Sequence, residues 1–258
     1  MDSERDISRF MERHFRHFNA AELMDAAKAY REHIKKGGKM FLAMAGAMST
    51  AELGISLAEM IREGNIHAIS TTGANLEEDV FNLVAHNDYV MARNYRDLTP
   101  HEELDLLKKG LNRVTDTCIP EESAMRKIES LIIPLWQKHE REGKAAFPHE
   151  YIYELIRSGA LEKHHHIDPK DSWVMAACEK NIPIFVPGWA DSTLGNVLVA
   201  EHMKGKIKDM GIVKEGLAYM KELVAWYRRE SSGAGIGFFQ IGGGISGDFP
   251  ICTVPLIN

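Results

Sequence analysis

The chain has 258 residues, 45% of them hydrophobic and 26% charged, with 31 Lys and Arg against 37 Asp and Glu. That balance excludes a disordered chain, and a net charge of −6 without a dense Lys/Arg cluster excludes nucleic acid as the main partner. No apolar run approaches the ~20 residues that span a membrane, and the start MDSERDISRF lacks a signal-peptide core, so one large cytoplasmic domain over residues 1–258 is expected.

Residues 1–36 set Phe10, Phe15, Phe18, Leu23, Ala27 and Tyr30 at helical spacing, which predicts two amphipathic helices, the second entered through Asn19. After Gly37-Gly38, residues 40–45 read as a fully buried strand. Ser49 or Thr50 then caps a helix carrying Leu53, Leu57, Met60 and Ile61. A second strand, residues 66–70, runs into Thr71-Thr72-Gly73-Ala74-Asn75, and a helix begins near Leu76. Strand, small-residue turn and helix, repeated at once, is the grammar of a parallel α/β sheet.

Residues 86–119 read as an irregular excursion, followed by helices over 120–142, 147–158 and 170–180. The α/β pattern returns with a strand at 182–186, a turn at 187–193 and a helix from Leu194. A further helix spans 211–229, and a strand at 235–241 enters Gly242-Gly243-Gly244. Residues 250–258 stop soon after that turn, where a doubly wound sheet continues with a helix and more strands; a shortened C-terminus is expected.

Three strand-to-turn junctions are candidates for chemistry: residues 46–50, 71–75 and 242–244. Ligands of open parallel sheets bind outside the carboxyl ends of the strands, where small residues let backbone N–H groups reach a pyrophosphate. None of the three is a G-x-G-x-x-G fingerprint; each alone is more simply a plain turn, while the three together favour a nucleotide site. Glu77-Glu78-Asp79 at a helix start is either placed for the helix dipole or placed to grip a polyamine by charge-assisted bonds. Asp191 is either a helix N-cap or a ligand for ribose hydroxyls. His164-His165-His166 has no chelating spacing, so a solvated loop and no metal are expected. Cys118, Cys178 and Cys252 are odd in number and far apart, which fits reduced thiols in core or half-buried positions.

Four stretches, KMFLAMAGAMST (39–50), ISTTGANLEED (69–79), KNIPIFVPGWADSTLGN (180–196) and GFFQIGGGISGDFP (237–250), together resemble the deoxyhypusine synthase family in its bacterial deoxyhypusine synthase-like branch. The resemblance keeps the same order over nearly the whole chain. It implies a Rossmann-like, doubly wound, mostly parallel sheet with extra helices at the N-terminus and in the middle. It also implies NAD as cofactor and a homotetramer built from dimers, with sites at the dimer interface. Family members oxidise spermidine transiently and move its 4-aminobutyl group through an imine to an acceptor amine, a protein lysine or a small amine such as putrescine.

Carried over by residue, the resemblance places Gly46, Ala47 and Thr50 at the first NAD turn and Thr72, Gly73 and Ala74 at the second. Glu77 and Glu78 match an acidic pair facing substrate and cofactor, and Asp191 and Gly243 match NAD contacts. The family's polyamine-binding aspartate is Asn196 here, and its substrate histidine is Asp248, within Gly247-Asp248-Phe249 in place of Lys-His-His. The family's catalytic lysine lies on a Trp-Gly-Lys stretch beyond Asn258, so no catalytic residue is assigned; Lys39 and Lys180 stand at strand starts. Two readings follow: an NAD-dependent aminobutyl transferase, or a catalytically incomplete subunit that binds NAD or polyamine.

Overall fold

The segment KMFLAM is apolar after its lysine, a pattern suited to a strand covered on both faces. The computed structural model describes residues 3–214 and 216–257. In it this segment is β1 (Lys39–Met44), buried at five of six positions. β2 (Ala68–Thr71) pairs with it in parallel, Phe41 opposite Ala68. Two more strands complete the sheet once the chain has passed through the middle region.

Two helices precede the sheet, α1 (Ser3–His14) and α2 (Phe18–Lys35). The second is entered through His17 rather than Asn19, which lies inside the helix. Between β1 and β2 runs α3 (Gly54–Arg62), whose Leu57, Ala58 and Ile61 are buried. Neither Ser49 nor Thr50 caps it, because both hydroxyls are turned onto other elements described below.

After β2, α4 (Gly73–Ala85) starts three residues before the position read from sequence, capped by the Thr72 hydroxyl accepting the Asn75 N–H at 3.1 Å. It is buried at every residue but one, including three consecutive carboxylates.

Residues 86–119 are more regular than their composition implied. β3 (Val90–Met91), β4 (Leu111–Val114) and β5 (Thr117–Pro120) form an antiparallel sheet in the order β3-β5-β4. α5 (Pro100–Lys108) enters through a capping box formed by Thr99 and Glu102. The strands are two to four residues long, too short to show alternation. The β4–β5 turn places Thr115 at φ 58 where glycine or asparagine is the usual signal.

Pro120 leads into a wide-turned segment, Glu121–Arg126, and then α6 (Lys127–Glu142), which ends at Gly143 in the left-handed region, φ 62. α7 (Pro148–Arg157) and α8 (Trp173–Lys180) follow. β6 (Ile184–Phe185) pairs with β2 in parallel. α9 (Thr193–Met203) and α10 (Leu217–Glu230) lead to β7 (Ile236–Ile241), which pairs with β1 in parallel along all six residues.

The main sheet therefore has the order β6-β2-β1-β7, all parallel. The chain steps from β1 to β2 and β6 on one side, then returns to place β7 on the other. In parallel sheets of this kind ligands bind at the carboxyl ends of strands where the order reverses, which here is the step between β1 and β7. Residues 245–253, left without an element in the sequence reading, form α11 (Ile245–Thr253), which packs across β1 and β2. The architecture is α/β, a parallel sheet with many helices.

Among the described residues no helix is long and apolar enough to cross a membrane, and no group of three or more metal-ligating side chains gathers. Cys118 and Cys178 are buried free thiols, while Cys252 is exposed rather than half-buried, since it falls on the outer side of α11.

Candidate active site

Successive residues on a helix project about 100° apart, so Glu77, Glu78 and Asp79 cannot share a direction. Each serves a different neighbour. Glu77 turns both carboxylate oxygens onto the start of α9, Oε1 accepting the Thr193 N–H at 2.7 Å and Oε2 the Leu194 N–H at 2.8 Å. Asp79 leaves the opposite side of the helix, and its Oδ2 accepts the Ser172 hydroxyl and the Val174 N–H at 3.1 Å, at the start of α8. Glu78 points between them and accepts the Thr50 hydroxyl on Oε2 at 2.5 Å.

All three are under a tenth exposed. The dipole account of this run fails on geometry, because the first turn of α4 holds no acidic residue. Instead, Glu77 and Asp79 satisfy the amino ends of two other helices. Burial dominates their titration: it pushes Glu77 up to about 7 and Asp79 up to about 6, against N–H and O–H bonds that pull each down. Glu78 is also raised by burial, opposed by Thr50.

Asn75, the last residue of the second bend, knits the two turns together. Its Oδ1 accepts the Ser49 N–H at 3.1 Å, and its Nδ2 donates to the carbonyls of Met44 and Ala45 at 3.3 and 3.1 Å. Its own carbonyl accepts the Ser49 hydroxyl at 2.7 Å, and that hydroxyl in turn accepts the Trp173 indole N–H at 2.9 Å. Thr72 adds a further tie, donating its hydroxyl to the Gly46 carbonyl at 2.7 Å. The residues after β1 are thus clamped to the start of α4. Asn75 was visible in sequence only as a turn residue; its fully buried position and three side-chain bonds are what mark it.

The sequence-derived candidates divide by what surrounds them. Gly46, at φ 63, is exposed with open space beside it; Ala47 is half-buried and Thr50 buried. Gly73 is required by packing: a Cβ there would lie 2.5 Å from the Cβ of Ser192. Ala74 is half-buried on the first turn of α4. Asp191 is exposed and does not cap α9; Ser192 does, accepting the Gly195 N–H at 2.9 Å, so the N-cap alternative is removed. Asn196 is exposed, its Nδ2 donating to the Ser192 carbonyl at 2.8 Å.

Gly242, Gly243 and Gly244 are exposed at the carboxyl end of β7, with φ of 87 at Gly242 and 66 at Gly244. Among the described residues no side chain caps α11, which begins directly after them, and Asp248 is exposed in its first turn. At Gly247 a Cβ would fall 1.9 Å from Gln240 Nε2, so the exposed Gln240 side chain lies directly over this glycine. The helix starts thus differ in availability: Glu77, Ser192 and Asp79 occupy those of α9 and α8, while that of α11 faces out beside three glycines.

Residues 8–257 match the family model described as deoxyhypusine synthase. A protein of Methanosarcina acetivorans named "Probable deoxyhypusine synthase 2" is 28% identical over 237 residues, covering 90% of this chain and 62% of that protein. A "Deoxyhypusine synthase-like protein" of Caulobacter vibrioides is 27% identical over 241 residues, covering 91% of this chain and 59% of the relative. The crystal structure of an Entamoeba histolytica protein provisionally named a deoxyhypusine synthase shares the fold, with a TM-score of 0.51 and 16% identity over 80% of this chain and 60% of that one. The chain spans less than two thirds of the length of these relatives. With a family match that runs through all four strands of the main sheet and every bend at their carboxyl ends, the chain belongs to the deoxyhypusine synthase family.

Proposed function

We propose that this chain carries the NAD- and polyamine-binding part of an aminobutyl transferase, which takes a 4-aminobutyl group from spermidine to an acceptor amine. The observation that carries the reading is the cluster of open bends at the carboxyl ends of β1 and β7 beside the buried carboxylate of Glu78. The parallel order β6-β2-β1-β7 supports a Rossmann-like, doubly wound description, with the crevice where such folds hold a dinucleotide.

The residues present fit NAD. Gly46 and Gly243 have nothing within 4 Å of where a Cβ would stand, so backbone can approach a pyrophosphate. The uncapped start of α11 favours the anion. Ala47, Thr50, Thr72, Gly73 and Ala74 would line the two bends, and Asp191, exposed, would take ribose hydroxyls. When bound, NAD supplies reversible hydride removal from the polyamine.

The chain's own residues hold and orient the substrate. Glu78 keeps one oxygen on Thr50, and the other makes no hydrogen bond among the described residues, leaving an acceptor for an ammonium group. Glu77 acts through position in this reading, fixing α9 and with it Asn196. Asn196 and Asp248 would meet the polyamine's outer end, with Asp248 supplying the only charge of the two. Burial around Glu78 strengthens its bond to a cation by excluding water. A homotetramer in the cytoplasm, with sites shared across a dimer interface, belongs to the same reading through the family resemblance.

A second reading is favoured by one observation. None of the bends at residues 45–53, 72–79, 187–196 and 240–249 contains a lysine, and an imine-forming lysine is the covalent catalyst such a transfer needs. In that reading the chain is a binding subunit. Incubation with spermidine and NAD, followed by mass spectrometry for 1,3-diaminopropane, separates the two: release supports the transferase, while binding of both ligands without release supports the subunit.

A further inference from the structure

A cleft of about 710 Å³ opens at the amino-terminal end of β6, away from the bends, between α6, α7 and residues 181–183. That volume is in the range of small-molecule sites, ~300–1,000 Å³. Its charge runs against that of the chain. Lys144, Arg157, Lys214 and Arg229 line it with two carboxylates, in a protein of net charge −6; Lys144 and Arg229 are paired with Glu142 and Glu230, so Arg157 and Lys214 are the cations that bear on a ligand.

Both carboxylates are committed elsewhere. Glu150 Oε2 accepts the Phe147 N–H at 2.7 Å, closing the start of α7. Glu154 takes Lys138 and His139, each at 2.8 Å. The Arg157 guanidinium, by contrast, donates to neutral acceptors, the Asn181 side-chain oxygen at 2.8 Å and the Cys178 carbonyl at 3.4 Å. Its charge is left for something else.

α7 presents His149, Tyr153 and Arg157 at four-residue spacing, on one face. They continue a row of rings. Arg157 lies 5.4 Å from the Tyr153 centroid, Tyr153 and His149 are 5.4 Å apart, His149 and Phe147 6.2 Å, and the Lys214 ammonium is 5.1 Å from Phe147. His149 is only 9% exposed yet lines the cleft. Its Nδ1 meets the Tyr219 hydroxyl at 3.3 Å, and with that hydroxyl donating, the ring proton sits on Nε2, which has no partner among the described residues. Burial drives the ring far toward its neutral form, down to about 3, so it enters the cleft as an uncharged N–H donor.

We propose that this cleft binds a small organic phosphate with a planar body. The phosphate would meet the Arg157 guanidinium and the His149 Nε2–H, and the ring would lie along Tyr153 and Pro183 toward Lys214. The site is separate from the bends and does not depend on the NAD reading.

Calorimetry with AMP, inorganic phosphate and adenosine on the whole chain tests it, comparing the wild type with an Arg157→Gln/Lys214→Gln double variant and with Thr72→Val at the bends. Both altered cleft residues are exposed, so the fold should hold, checked by thermal melting. If the double variant melts early, Lys214→Gln alone carries the same comparison. The expected result, with NAD present in excess to fill the bends, is AMP bound more tightly than phosphate or adenosine, weakened about tenfold or more in the cleft variant and still bound in Thr72→Val. Unchanged AMP affinity in the cleft variant, loss with Thr72→Val alone, or no AMP binding at millimolar concentration would each overturn the proposal.

Discussion

Glu77 Oε1 accepts the backbone N–H of Thr193 at 2.7 Å, across 116 residues of sequence. The bond makes a buried carboxylate a second acceptor, beside Ser192, at the start of a helix that the sequence linked to it only as a fellow site element. Its consequence is a pH dependence of a definite sign. Burial raises Glu77 from 4.5 to about 7 and Asp79 from 3.8 to about 6, so the folded state holds these protons more tightly than the unfolded chain. Their contribution to stability is complete below about pH 4 and is lost as pH rises through 6 to 7. Glu77→Gln cannot release that proton. Urea unfolding should show the variant about 1–2 kcal/mol less stable at pH 5, with the gap narrowing by pH 8; parallel losses in both proteins would refute the assignment.

Asn75→Ala should be among the most damaging single changes near the bends. It leaves the Ser49 N–H and the carbonyls of Met44 and Ala45 without their side-chain partner in a dry environment. The expected cost is about 2–4 kcal/mol by chemical denaturation, together with weaker NAD binding as the residues after β1 loosen. A variant as stable as the wild type would show that the clamp is not needed.

Gly73→Ala tests whether this glycine serves packing or cofactor. A Cβ would press on Ser192 at 2.5 Å, so a destabilisation of about 1–3 kcal/mol is expected even without ligand. If the variant melts like the wild type and loses only NAD affinity, the packing account fails.

Glu78→Gln should leave the fold nearly intact, since the amide can still accept from Thr50. Spermidine affinity should drop by about 1.5–3 kcal/mol, the worth of a charge-assisted bond. Calorimetry giving equal affinities would remove Glu78 from the polyamine site.

The parallel sheet was legible because β1 is an almost unbroken apolar run, β2 leads into the small-residue stretch 70–74, and β7 is followed by three glycines. The bends themselves were found the same way. The roles of the carboxylates were not, because their partners at Thr193 and Val174 lie 116 and 95 residues away and no local pattern marks them. The helix start at Gly73 was missed for a similar reason: glycine and asparagine read as turn, while burial against Ser192 holds them in helix. The small antiparallel sheet escaped notice since Thr115 takes a positive φ without glycine, although the Thr99–Glu102 capping box beside it was readable.

The central claim is that the carboxyl-end bends hold NAD next to a carboxylate that grips a polycation. Titration of NAD into the folded chain, repeated with spermidine present and then with Asp191→Ala, tests it most directly. The account predicts one NAD per chain, spermidine taken up by the loaded protein, and NAD affinity reduced in a variant that melts like the wild type. A folded chain that takes up neither NAD nor spermidine would contradict it.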